Sequence, residues 1–220
     1  MSYYTKYPSD YEPGYLSQFT LREKVYMLTG LSILFASIFT SFLISTGGVS
    51  TGMLVIAIFA WIIGIIWSFF ARTESSRMII LFIMVTASAV LITPMIQYAL
   101  LVDPIIVAES AGITGIIVLG MFSYATIKKP NLHRLGRFLS VAVWIIIAAL
   151  LLGFFIQYSA FTDLLLSIFI AIIFSLYILY DLSRIERREI VSPAYAALML
   201  YIDIFIVFKQ ILYLLLRSRE

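Results

Sequence analysis

The sequence contains no cysteine and a single histidine, His133. Without cysteine the chain can form no disulfides and no thiolate metal sites, and it has no thiol nucleophile. One histidine in a basic stretch excludes histidine-rich metal centres and most catalysis by an imidazole base. The glycines match no nucleotide-binding fingerprint. We therefore expect a protein that is not an enzyme and that carries no cofactor.

Charged residues are also scarce, at 12% of the chain against 62% hydrophobic residues. A soluble domain would carry about twice that share of charge. The mean hydropathy of +1.04 points the same way. Composition therefore predicts a polytopic protein whose main partner is the lipid bilayer. The net charge of +3 is too small to indicate nucleic-acid binding, and we interpret it as a topology signal.

Seven apolar segments of membrane-spanning length follow a tail rich in tyrosine and proline. The segments are 25–45, 53–71, 78–98, 105–127, 135–157, 161–180 and 193–216. We expect a tail at residues 1–20 and an all-α, seven-helix transmembrane domain at residues 21–220. Small residues let membrane helices approach closely. Gly112, Gly115 and Gly120 therefore predict such an approach along the fourth segment.

Lysine and arginine are confined to alternate connections between these segments. They occur in the tail and in the loops after the second, fourth and sixth segments, and are missing from the other three loops. The positive-inside rule then places the N-terminus in the cytoplasm. Seven full spans would put Arg217 and Arg219 on the opposite side, so either the C-terminus is exported with two charges or one segment is re-entrant.

Each of the last two segments carries one aspartate, Asp181 or Asp203. Ser192 and Pro193 read as an N-cap and a first-turn proline, so the final helix should start there. We expect the sixth helix to continue to about Ile190. Asp181 would then lie about 13 Å before the turn and Asp203 about 15 Å after it, at 1.5 Å per residue. Antiparallel neighbours would bring the carboxylates to one depth, where they would pair if their side chains face each other.

Three further polar side chains could belong to the same path. Glu109 lies one turn inside the fourth segment, where it either reaches the headgroups or attracts cations on the outer side. Arg72 closes the second segment, either as a cytoplasmic anchor or as an ion-pair latch to the aspartates. Gln210 lies on the face of Asp203 to within about 20°, so it either lines the path or bonds to a neighbouring helix.

The two aspartate motifs resemble those of the Bax inhibitor-1 family. They read FSLYILYDL at 174–182 and AALMLYIDIFIVF at 196–208. The stretch around Thr93 and Pro94 and the region of Glu109 are also similar. The resemblance implies a seven-helix bundle in which the last helix is central and is wrapped by two groups of three.

The resemblance also implies a function. Prokaryotic members are described as pH-sensitive calcium leak proteins of the cell membrane. Their di-aspartyl sensor, which would contact calcium, corresponds to Asp181 and Asp203, and their arginine latch corresponds to Arg72. The acid that some relatives carry in the second segment is missing here, because Trp61 or its neighbours occupy that region.

Three function classes remain open from the residues. Two carboxylates close together in a low dielectric cannot both stay ionised cheaply. This favours a passive leak for calcium or another cation, gated by protons. An intramembrane aspartyl protease would share the Tyr180–Asp181 pair, but Leu200 to Asp203 replaces the Gly-x-Gly-Asp of those enzymes. A non-transporting scaffold has only the tyrosine-rich tail in its favour, and the sequence identifies no protein partner.

Overall fold

The computed structural model describes residues 20–219, which form seven α-helices. The helices are α1 (Leu21–Ser45), α2 (Thr51–Phe70), α3 (Glu74–Val102), α4 (Ile105–Lys128), α5 (His133–Phe155), α6 (Ala160–Glu186) and α7 (Pro193–Ser218). No strand occurs between residues 20 and 219. Each helix is long and apolar enough to cross a membrane. The predicted all-α, seven-helix fold is confirmed, whereas the predicted tail lies outside the described residues up to position 19.

Short hydroxyl side chains start most of these helices. Thr20 forms a capping box with Glu23: its backbone N–H donates to the Glu23 carboxylate over 2.8 Å, and its hydroxyl accepts from the Glu23 N–H. Such a side-chain oxygen satisfies one of the backbone donors that a helix start leaves unpaired. The same role is played by Ser50 (α2), Thr73 (α3), Ser159 (α6) and Ser192 (α7).

The sixth helix ends earlier than the sequence indicates, at Glu186 instead of near Ile190. Arg188 adopts a left-handed conformation, with φ 57°. Its N–H donates to the Ile185 carbonyl, and the Glu189 N–H donates to the Arg184 carbonyl over 2.9 Å. These two bonds form a Schellman closure, which usually has glycine at the left-handed position. The predicted end near Ile190 was wrong because an arginine at the left-handed position does not mark a helix end in the sequence.

Helix α7 lies at the centre of the bundle, packed against α1, α3, α4 and α6. Helix α2 packs on α3, and α5 packs on α6. Two groups, α1–α3 and α4–α6, therefore flank α7, as the family resemblance implied. The core that joins them includes Ile178, Leu182, Leu198 and Val207. Most apolar side chains of α2 face outward, where a bilayer would cover them.

Two glycines mark the closest helix approaches. A Cβ on Gly136 of α5 would lie 2.5 Å from the Tyr180 ring of α6. A Cβ on Gly64 of α2 would collide with the side chain of Met84 on α3. The glycines of the fourth segment, at positions 112, 115 and 120, have nothing within 4 Å of such a Cβ. Their predicted role in close packing is therefore wrong within the described chain, because they lie on an open face of α4.

Candidate functional site

The structure brings Asp181 of α6 and Asp203 of α7 together in the middle of the bundle. Their residues are only 2% and 5% exposed, and the two carboxylates interact electrostatically. One oxygen of each, Oδ2, is buried and accepts no hydrogen bond from any group in residues 20–219. Both carboxylates are therefore buried and close enough to interact electrostatically, which the sequence could not decide.

The chemistry of this pair depends on protons. Two ionised carboxylates at this depth would repel each other and would leave two acceptors without donors. A single shared proton removes one charge and supplies an O–H donor for one of the free oxygens. The pair can therefore exist in a singly charged, hydrogen-bonded state or in a doubly charged state that needs a cation or water.

Arg184 is the cation that the structure places beside this pair. Its Nη1 lies 3.5 Å from Oδ1 of Asp181, one helical turn away on the same face of α6. The guanidinium also lies over the Tyr180 ring, 5.3 Å from its centroid, which helps to hold its orientation. Sequence reasoning missed Arg184, although the three-residue spacing from Asp181 is a signal for such a contact.

Arg72, the residue expected as the latch, is not brought to the aspartates. It is exposed in the loop between α2 and α3 and forms no ion pair with the residues that the structure describes. Because α2 ends at Phe70, the side chain of Arg72 begins beyond the helix end. The next arginine, Arg77, contacts this loop instead, donating to the Ala71 carbonyl over 3.3 Å.

Glu109 lies at the opposite end of the bundle, where it is half-buried and paired with Arg219 at 3.3 Å. Arg219 also binds Asp103 at 2.6 Å, so two carboxylates share its guanidinium. This cluster accounts for the positive C-terminus, which seemed to conflict with seven spans. The end of α7 reaches the side opposite the basic loops, and acidic groups there compensate its charge.

Two more polar side chains lie along α6 and α7 near the pair. Gln210 is half-buried two turns beyond Asp203 on α7. Tyr177 of α6 interacts electrostatically with both aspartates. Within residues 20–219 no group of three or more histidine, aspartate or glutamate side chains could hold a metal. Two carboxylates suit the hard oxygen preference of calcium but fall short of its usual six to eight ligands.

A family model described as "Inhibitor of apoptosis-promoting Bax1" matches residues 17–220. The chain belongs to the Bax inhibitor family. The resemblance carried by the two aspartate motifs is thereby confirmed, and it extends over all seven helices. The length and apolar composition of its seven described helices make this Bax inhibitor family protein an integral membrane protein.

Relatives occur in bacteria, fungi and viruses. An uncharacterised membrane protein of Vibrio cholerae is 30% identical over 147 residues, which cover 66% of each chain. Bax inhibitor 1 of Schizosaccharomyces pombe is 33% identical over 50% of this chain and 42% of its own. The Golgi anti-apoptotic protein of vaccinia virus is 33% identical over 51% and 48%, respectively. The matched region therefore covers 66% of the length of the Vibrio cholerae relative, just under two thirds, and less of the other two.

Proposed function

We propose that this Bax inhibitor family protein is a passive cation leak, with calcium as the transported ion, gated by protonation of the Asp181–Asp203 pair. The observation that carries the proposal is the pair itself. Two buried carboxylates, one on α6 and one on α7, interact electrostatically, and one oxygen of each accepts no hydrogen bond from the residues that the structure describes. Intramembrane acids left in this condition are costly, and they mark ion or proton paths more often than structural contacts.

The gate works by the charge on the pair. At low pH a shared proton bonds the two carboxylates and holds α6 against α7. Loss of that proton leaves two like charges, which repel by about 4 kcal/mol at 4 Å and an effective dielectric constant of about 20. That energy is on the scale of a few kcal/mol that separates two conformations of a protein. Arg184 offsets part of the repulsion, and an arriving cation relieves the rest.

The rest of the chain fits transport down a gradient. The family resemblance favours calcium, and the carboxylate oxygens are ligands that calcium prefers. Glu109 and Asp103 draw cations to the far end of the bundle, where Arg219 partly neutralises them. The basic loops favour a cytoplasmic N-terminus. The Vibrio cholerae relative is consistent with a prokaryotic cell membrane.

Reconstitution tests the proposal. Liposomes loaded with a calcium dye and carrying the full chain should show protein-dependent influx without an energy source, low at pH 5 and higher at pH 8. Empty liposomes and liposomes with Asp203→Asn protein are the controls. Absence of a protein-dependent signal at every pH from 5 to 8 would end the hypothesis. Parallel runs with sodium and potassium dyes measure whether calcium is preferred.

A second candidate is a role through protein partners, and the relatives named "Bax inhibitor 1" and "Golgi anti-apoptotic protein" favour it. A protein that acted only as a scaffold would give no flux in liposomes. The same reconstitution therefore separates the two candidates.

A further inference from the structure

Helix α6 carries a second buried carboxylate besides Asp181, and it lies at the end of the helix. Glu186 is the last residue of the helix, yet its side chain is only 1% exposed. The Tyr26 hydroxyl donates to its Oε1 over 2.7 Å, and Arg22 donates to its Oε2 over 3.3 Å. The Thr126 hydroxyl donates to Oε1 over 3.5 Å. We call this set of four side chains the Glu186 clasp.

The clasp links the end of α6 to two other helices. Arg22 and Tyr26 belong to α1, and Thr126 belongs to α4. Five residues separate Glu186 from Asp181, which is about 7.5 Å along the axis and about 140° around it. The helix therefore presents Asp181 to α7 on one face while Glu186 anchors its end on another. Helices α1 and α6 share no extensive packing, so this carboxylate adds a polar link between them.

The position of the clasp matters because of how α6 and α7 are joined. The two helices are connected at this end by residues 187–192, so a tilt of α6 about its end would separate them around the aspartates. The clasp determines where that end sits. Each oxygen of Glu186 has a donor, and Arg22 compensates its charge, so the clasp favours one arrangement of α6 strongly.

We propose that Glu186 is a positioning residue of the gate, which holds α6 in the closed arrangement through Tyr26 and Arg22. The inference rests on the proposed function, since it assumes that the aspartate pair gates a leak. Glu186 acts by tethering α6 and does not touch the transported ion. The charged and titratable groups that contact it are Arg22 and Tyr26 of α1, while α4 contributes only the neutral Thr126 hydroxyl. Proton sensing stays with the aspartates.

Two variants weaken the clasp by different chemical changes. Tyr26→Phe removes one hydroxyl and keeps the ring, and Glu186→Gln removes the charge. Each should raise the calcium flux of the closed state at pH 5 about tenfold and move the half-maximal pH of the leak downward, because the closed state loses contacts that the open state lacks. Hydrogen bonds to charged groups are strong enough for a change of this size. The double variant should raise the flux at least as much as Glu186→Gln alone, because the carboxamide in Glu186→Gln can still accept from the Tyr26 hydroxyl.

Glu189→Gln is the matched control. It also removes one negative charge near the end of α6, but Glu189 pairs with Arg187 at 2.8 Å outside the clasp. Its flux and pH profile should equal those of the wild type. If Tyr26→Phe and Glu186→Gln lower thermal stability yet keep the wild-type pH profile, the clasp is only structural and the inference is overturned.

Asp203→Asn, measured beside these variants, separates the two failures. If it abolishes the pH response while the clasp variants keep the wild-type profile, the gate stands and the role of Glu186 is refuted. If Asp203→Asn keeps the full pH response, the aspartate gate is refuted, and the role of Glu186 falls with it. Only loss of the response in Asp203→Asn together with shifted profiles in both clasp variants supports the inference.

Discussion

Replacing Arg184 by glutamine should move the half-maximal pH of the leak upward by about one unit. The guanidinium lies 3.5 Å from Asp181 and favours the charged form of the pair. In the proposed gate, the leak opens as pH rises and the shared proton is lost. Without Arg184 the doubly charged state costs more, so a higher pH is needed to reach it.

The size of the shift follows from the exposure of the two side chains. The Asp181 side chain is 3% exposed and that of Arg184 is 29% exposed, so the pair is screened on one side only. Two unit charges 4 Å apart interact by about 4 kcal/mol at an effective dielectric constant of about 20. Solvation of the guanidinium and the long 3.5 Å contact reduce this, and we take about 1–2 kcal/mol as the differential effect. One pH unit corresponds to about 1.4 kcal/mol.

The assay is calcium flux into liposomes at half-unit steps from pH 5 to pH 8, normalised to inserted protein. Arg187→Gln is the control, because it removes the same charge three residues further on, from a pair with Glu189 at 2.8 Å. Arg184→Lys keeps the charge and should shift the profile less than Arg184→Gln. An unchanged midpoint in Arg184→Gln, or a shift to lower pH, would refute the assigned role of the guanidinium.

Three other changes test the site and the packing around it. Asp203→Asn should abolish the pH response of calcium flux while leaving far-UV circular dichroism unchanged, because a pair with a single acid can never become doubly charged. Arg72→Ala should leave flux per inserted protein and its pH profile at wild-type values, since Arg72 is exposed and contacts neither aspartate; a raised, flattened response would restore the latch. Gly136→Ala should destabilise the detergent-solubilised protein by about 1–3 kcal/mol, because the added methyl group overpacks against Tyr180. Gly120→Ala has open space around it and should be neutral or slightly stabilising in thermal unfolding. Equal unfolding temperatures for the two variants would contradict the close approach of Gly136 to Tyr180.

The sequence predicts much of the fold because a membrane makes local signals decisive. Each span must satisfy its own backbone, so hydropathy alone gives the number of helices. Hydroxyl residues such as Ser50 and Thr73 mark the starts. Where the end of a helix depends on an unusual backbone conformation, the local sequence does not predict it. The end of α6 rests on a left-handed Arg188, a position for which glycine would be the expected residue.

The candidate site is predictable only in part for a related reason. Spacing along a helix says which side chains share a face, and it does not say which helix that face meets. Asp181 and Asp203 were expected at one depth, and the structure adds that both are buried and that their carboxylates interact electrostatically. The arginine beside them is local, at Arg184, while the sequence favoured the distant Arg72. Glu186 gave no signal at all, because its partners are more than 50 residues away along the chain.

The two buried acids of α6 differ in how their oxygens are satisfied, and this difference locates the working site. Both oxygens of Glu186 accept hydrogen bonds, and Arg22 compensates its charge. Within residues 20–219 no group donates to Oδ2 of Asp181 or of Asp203, and a buried acceptor left without a donor costs about 1–3 kcal/mol. A fully satisfied acid gains nothing by changing its state, so Glu186 suits an anchor. An unsatisfied pair is relieved by a proton, a cation or water, each of which favours a different arrangement of α6 and α7. For that reason we assign the switch to the aspartates and the anchoring role to Glu186.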